Sequence, residues 1–399
     1  MEGLPMWSLL KNAKVFAPEP LGKQDILLVE GKIAAIGQNL TIPSYVEGKV
    51  YDLTGYICVP GFVDGHVHIC GGGGEGGPRT RTPEVQLSQL TRAGITTVVG
   101  CLGTDTVSRS MEELLVKARG LEEEGLTCYL YSGGYQADNM IFGNLRKDLV
   151  LIDKIIGAGE IAISDHRSAQ PQLAELERLA ADARVGGMLS NKAGIIHIHL
   201  GEGKRGLSII KNIIEKTEIP ITQFFPTHVN RKASLLQEGI NFLQAGGMID
   251  LTAGCDDFEP ELQVPFVLKY FYEQGLLNER VTVTSDGNGS LPQYDESGRL
   301  QRMGIGSVEV LWRDIREAIL RFSVPFELAC STITSNPAKI LQLKGKGRIV
   351  QGYDGDCVAL TEDLSIGYVW AKGKLMVQER KPIVFGTYES SLVNHLQTV

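Results

Sequence analysis

Two histidines two positions apart, His66 and His68, close an apolar run in the stretch PGFVDGHVHICGGGGE at 60–75. Alternate side chains of a strand share one face, so both imidazoles can converge on one point, as the first two ligands of a metal ion must. Neutral imidazole is the commonest metal ligand, and zinc takes three or four such groups at about 2.0–2.3 Å. A pair of packed core histidines fits the same spacing, so the motif needs partners elsewhere. IIHIHLGEG repeats it with His197 and His199. There His199, nearer the strand end, is the better ligand, and His197 suits a hydrogen-bonded layer residue one step deeper. His228 stands near the end of FFPTHV, and Asp286 stands in VTVTSDGNGS. An Asp-Gly turn is one reading of that site; a metal-bound carboxylate that takes a proton from a nucleophilic water is the other.

Those residues must be brought together by the elements that carry them. Eight apolar segments can be strands: FVDGHVHI, TTVVGCLG, CYLYSGGY, EIAISDHR, IIHIHL, PITQFFPTHV, MIDLTAG and VTVTSDG. Amphipathic stretches such as SMEELLVKARGLEEEG and ASLLQEGINFLQAGG lie between them. That alternation predicts an α/β fold, a (β/α)8 TIM barrel over 59–344. An open doubly wound sheet gives the same local pattern. The barrel is favoured because nearly every segment ends in a chemically able residue, including Asp105, Tyr135, Asp165, His166, Arg167 and Arg231. In such barrels the active site lies at those ends. Residues 1–58 and 345–399 read instead as short strands with turn residues, and together predict one small β domain built from both termini.

Composition narrows the classes. With 399 residues, 43% hydrophobic and 22% charged, the chain is that of a globular protein. A net charge of −8 and the lack of a Lys/Arg-rich face argue against nucleic acid. No apolar run approaches the ~20 residues that span a bilayer, and MEGLPMWSLLKNAK does not read as a secretory signal. Seven cysteines without paired spacing suggest free thiols in a reducing cytoplasm, most of them small buried hydrophobes. The glycines at 71–74 do not precede Lys-Ser or Lys-Thr, so a mobile or closely approached active-site loop fits them better than a phosphate cradle.

With these residues in place the chain resembles the amidohydrolase superfamily. GFVDGHVHICGGGGEGGPRTRTPE, SGGYQ, AISDHRSA, PTHVNR and SDGNGS are similar, more closely, to the isoaspartyl (β-aspartyl) dipeptidases. The resemblance implies a TIM barrel with a small β-sandwich domain from both termini, a homo-oligomer, and two zinc ions per chain. It implies His66, His68 and Asp286 on one zinc and His199 and His228 on the other. It also implies substrate handling by Gly74, Glu75, Thr104, Tyr135, Arg167, Arg231 and Ser290. An isoaspartyl dipeptide carries one ammonium and two carboxylates, so Glu75 suits the first and the two arginines the others. Tyr135 suits a developing oxyanion. The implied reaction is attack by a metal-activated hydroxide on the side-chain amide, with Asp286 as general base and acid.

One position departs from the pattern. The family has a lysine in the fourth strand, carbamylated to bridge the metals, and here GAGEIAISDHRS places Glu160 there. Glutamate supplies a carboxylate but reaches on the order of 3–4 Å less far. A glutamate-bridged pair is expected ahead of a single-metal site or a weakened enzyme, because the other ligands are all present. Two other functions remain open: a cyclic amidohydrolase of the hydantoinase or dihydroorotase type, and a catalytically silent scaffold relative.

Overall fold

The computed structural model describes residues 7–294 and 299–389. Residues 1–6 and 390–399, parts of the expected terminal β segments, lie outside the described residues. Within them, five N-terminal strands (Trp7–Phe16, Pro20–Val29, Lys32–Gly37, Gly48–Asp52 and Ile57–Pro60) join four C-terminal ones (Cys357–Leu360, Ile366–Ala371, Lys374–Gln378 and Lys381–Pro382) in one nine-stranded mixed sheet. The two ends of the chain meet where Ile57–Pro60 runs antiparallel to Cys357–Leu360. Alternation decides what each face buries. Cys357 and Ala359 point into a cluster with Leu10, Ile26, Ile33 and Trp370. Val358 and Leu360 point the other way, into the main core.

Between these ends lie eight parallel strands, one for each segment expected from the sequence. They are β1 (Phe62–Val67), β2 (Ile95–Gly100), β3 (Thr127–Ser132), β4 (Ile155–Ile163), β5 (Ile195–Leu200), β6 (Phe224–Thr227), β7 (Ile249–Thr252) and β8 (Val281–Thr284). The first six form one curled parallel sheet in sequence order, and β7 pairs with β8. Val229 N donates to Asp250 O beside β6 and β7, and His68 N donates to Gly287 O beyond β1 and β8. The strands are buried along almost their whole length, which is why they read as unbroken apolar runs rather than alternating ones.

Two boundaries differ from expectation. β4 starts at Ile155, before the expected EIAISDHR, because it passes through Gly157 and Gly159, residues depleted in strands. A Cβ on Gly157 would stand 2.6 Å from Ile195 O on the neighbouring strand, so the close approach requires glycine. β6 is shorter than PITQFFPTHV, since Ile221–Gln223 form a 3₁₀ turn after Pro220. The expected amphipathic helices are present. Met111–Glu123 buries Met111, Leu114, Ala118 and Leu121 and opens with a Ser110/Glu113 capping box. The helix Ser335–Ile340, in TSNPAKIL, sends Ile340 into the interior beneath the strands, with Leu341 after it, against Val63, Val99 and Tyr131. An antiparallel hairpin, Ser290–Tyr294 with Leu300–Ile305, follows β8 and was not expected. Among the described residues no helix is long and apolar enough to cross a membrane.

Candidate metal centre

The strands deliver their polar residues to one place, at their C-terminal ends. Glu160, on β4, is 2% exposed and stands at the middle. Its Oε2 lies 3.0 Å from His199 Nδ1, 3.4 Å from His66 Nε2 and 3.7 Å from His228 Nε2, and its Oε1 lies 3.4 Å from His68 Nε2. Asp286 Oδ1 is 3.1 Å from His68 Nε2 and 3.5 Å from His66 Nε2. All six residues expected as ligands therefore converge. The atoms fall into two sets that share Glu160: His66, His68 and Cys101 on one side, His199 and His228 on the other.

These residues fit a divalent ion. His66 Nε2 and His228 Nε2 are buried and have no hydrogen-bond partner among the described residues, although both face Glu160. Orphaned buried nitrogens aimed at a carboxylate are what a cation between them would satisfy. The field has the right sign. Burial opposes charge on Glu160, but His66 and His199 outweigh it and hold the carboxyl well below its usual range. Burial likewise opposes Asp286, and the His68 hydrogen bond and His66 charge overcome it. Burial also disfavours charge on His66 and His68, yet Cys101 and Glu160 raise the first well above the imidazole range, and Cys101, Asp286 and Glu160 raise the second. A pocket that stabilises a proton in this way would stabilise a metal cation.

Each of the four histidines turns one nitrogen inward and the other toward a backing group. His66 Nδ1 is 2.9 Å from His197 Nε2, and His68 Nδ1 is 3.9 Å from Cys101 Sγ. His199 Nε2 is 3.0 Å from Asp165 Oδ2, and His228 Nδ1 is 2.6 Å from Thr252 Oγ1. Partners of this kind fix ring orientation and tautomer. His228 and Asp286 hold their positions with φ of 62° and 50°, in the left-handed region that is uncommon outside glycine but that Asp and His enter more readily than most residues.

Above this cluster opens a cavity of about 1210 Å³ lined by Thr104, Tyr135, Arg167, Arg231 and Ser290 together with His68, Glu160, His199 and Asp286. Gly74 and Glu75 are not among its lining residues. Glu75 sits behind the wall, where its Oε1 accepts from Thr104 Oγ1 at 2.9 Å, Ser290 Oγ at 2.9 Å and Arg167 Nη1 at 3.3 Å. Its Oε2 is buried without a partner among the described residues, an acceptor suited to an ammonium. Arg167 does not present an open fork, because Nε and Nη2 donate to Asp165 at 3.1 and 2.8 Å. Arg231 Nη1 donates to Leu200 O at 2.9 Å. The Tyr135 hydroxyl is 3.1 Å from both ring nitrogens of His199.

Sequence reasoning noticed Asp165 at its strand end without giving it a role, and left Thr252 unremarked. All seven cysteines are free, but Cys101 is more than a small buried hydrophobe, since its thiol joins His66, His68 and Glu160. Burial pushes its pKa up, and His68 and His66 outweigh that and hold it below the usual thiol range. Its place just after β2 matches that of His68 just after β1, a signal the sequence did carry.

No family model matches the chain. Solved structures do. Enamidase, a member of the amidohydrolase superfamily, superposes with a TM-score of 0.64 at 16% identity over 94% of this chain and 97% of that one. At that identity the likeness is one of fold alone. The β-aspartyl dipeptidase of the thermophilic, keratin-degrading Fervidobacterium islandicum AW-1, in complex with a β-Asp-Leu dipeptide, matches far more closely. Its TM-score is 0.88 at 45% identity, over 94% of this chain and 98% of that one. A second structure of that enzyme gives 0.86 at 43% identity with the same coverage. The chain belongs to the β-aspartyl dipeptidase family.

Proposed function

We propose that the chain hydrolyses β-aspartyl (isoaspartyl) dipeptides in a metal-dependent reaction. The observation that carries this reading is the four imidazoles and Asp286 gathered around Glu160, beneath a cavity that Arg167 and Arg231 line and behind whose wall Glu75 lies. The β-Asp-Leu complex of the similar Fervidobacterium enzyme supports the same substrate class. His66, His68 and Asp286 would hold one ion and His199 and His228 a second, with Glu160 shared between them in the place of a carbamylated lysine. One glutamate carboxylate common to both sets of ligands needs no added carbon dioxide.

Divalent metal at these ligands, zinc in our reading, supplies Lewis acidity for the amide carbonyl and lowers the pKa of water. The protein's own groups do the rest. Asp286 is held ionised, and its carboxylate takes the proton of the attacking water and passes it to the leaving amine. Tyr135 donates to the oxygen on which charge develops. Glu75 Oε2 receives the substrate ammonium, while Thr104 and Ser290 steady Oε1. The two arginines receive the carboxylates, and for this Arg167 must exchange its bond to Asp165 for one to substrate. Gly74, with a φ of 108°, makes the turn that leads into Glu75.

Our reading of the architecture is a (β/α)8 barrel over 59–344 and a small β-sandwich domain from 1–58 and 345–399; the contact of β8 with β1 supports the first, and the sheet shared by the described strands of both ends supports a terminal domain. The seven free cysteines suit a reducing cytoplasm, and a homo-oligomer is the expected assembly. The test is a comparison of three substrates: a β-aspartyl dipeptide, its α-linked isomer and a hydantoin. Selective hydrolysis of the first is expected. Preference for the hydantoin would move the chain to the cyclic amidohydrolases.

A further inference from the structure

His197 lies on β5 below the ligands, fully buried, with its ring stacked on Tyr131 at a centroid distance of 4.7 Å. Its Nε2 is 2.9 Å from His66 Nδ1, and its Nδ1 has no hydrogen-bond partner among the described residues. The contact between the two rings needs one proton, and the position of that proton can be derived. His66 Nε2 faces Glu160 and Asp286 at 3.4 and 3.5 Å, so a ligand role requires its lone pair there. A neutral imidazole then carries its proton on Nδ1. His66 is the donor, and His197 must accept at Nε2 and keep its own proton on Nδ1.

We propose that His197 is a positioning residue, which accepts from His66 Nδ1–H and so fixes the tautomer and the ring direction that aim His66 Nε2 at the metal. This rests on the metal-centre reading but not on the identity of the substrate. Metal-bound histidines usually donate to a carboxylate, a carbonyl or water. At this depth a further carboxylate would be one more buried charge to compensate, and a neutral ring on Tyr131 avoids that cost. His197 also completes a set, since Cys101, Asp165 and Thr252 back the other three histidines.

Two variants separate positioning from packing. His197→Gln keeps an acceptor near the place of Nε2, whereas His197→Met fills similar space without a strong one. Zinc-loaded parent and variants are titrated with a competing chelator, and melting of the metal-free forms is recorded alongside. Zinc binding should weaken about 10–100-fold in His197→Met and stay close to the parent in His197→Gln, with similar metal-free melting. Parent-like zinc retention in His197→Met, or equal loss in both variants, overturns the proposal. If His197→Met does not fold, long-range ¹H–¹⁵N imidazole spectra of the zinc-loaded parent decide: protonation of His197 at Nδ1 supports the assignment, and protonation at Nε2 refutes it. Absent hydrolysis of the β-linked dipeptide, with these zinc results intact, would count against the substrate reading alone.

Discussion

Asp286 is the side chain at which proton transfer and ligation meet, so its substitution is the sharpest probe of the chemistry. Asp286→Asn keeps the shape and removes the base; turnover should fall by about 10²–10⁴-fold or more, while circular dichroism and melting stay near those of the parent. Turnover within tenfold of the parent would remove the proton shuttle. Glu75→Gln should act on binding instead. Losing a charged hydrogen bond to the ammonium, about 1.5–3 kcal/mol, should raise KM by roughly 10–100-fold and change kcat less, as steady-state kinetics would show. The ligand set was legible because imidazoles at strand ends, two apart, have few other uses in such a pattern. Two of their backing groups were not, since Thr252 and Asp165 become partners only through contacts between strands.

At the scale of elements, the segment just after β2 matters as much as the strands. Gly103 approaches the centre so closely that an added Cβ would stand 2.9 Å from His68 Cε1 and 3.4 Å from Glu160 Oε1. Gly103→Ala should therefore push His68 aside and weaken zinc retention by about tenfold, measured by chelator competition, with metal-free melting little changed. The eight strands could be read from sequence because burial on both faces makes each an unbroken apolar run. The start of β4 and the hairpin Ser290–Ile305 could not. Glycines hide the first, and the second has no long apolar run, with none of its described side chains fully buried.

For the molecule as a whole, one buried ion cluster ties the terminal sheet to the strands beneath the site. Lys346 Nζ, 1% exposed in its side chain, is 2.7 Å from both Asp354 Oδ2 and Asp356 Oδ2 and 2.6 Å from Thr127 Oγ1 at the start of β3. Lys346→Met should cost roughly 3–5 kcal/mol in denaturant titrations, because it leaves the buried Asp356 carboxylate without its cation. Burial raises the Asp354 pKa, but the Lys346 charge outweighs it and holds the carboxyl below its usual range. A depressed folded pKa stabilises above the unfolded value of about 3.9 and is lost as pH falls through the folded one. Thermal melts from neutral pH into the acid range should thus drop below about pH 4, less steeply in Lys346→Met. The central claim, that the four histidines, Glu160 and Asp286 form a metal-dependent catalytic centre, is tested most directly by counting metal and rate together. Zinc per chain and hydrolysis of a β-aspartyl dipeptide are measured before chelation, after it, and after zinc is restored. The account predicts about two zinc ions per chain in the active protein, loss of hydrolysis on their removal and recovery on their return. Undiminished hydrolysis by metal-free protein would contradict it, and full activity with at most one ion per chain would reject the glutamate-bridged pair.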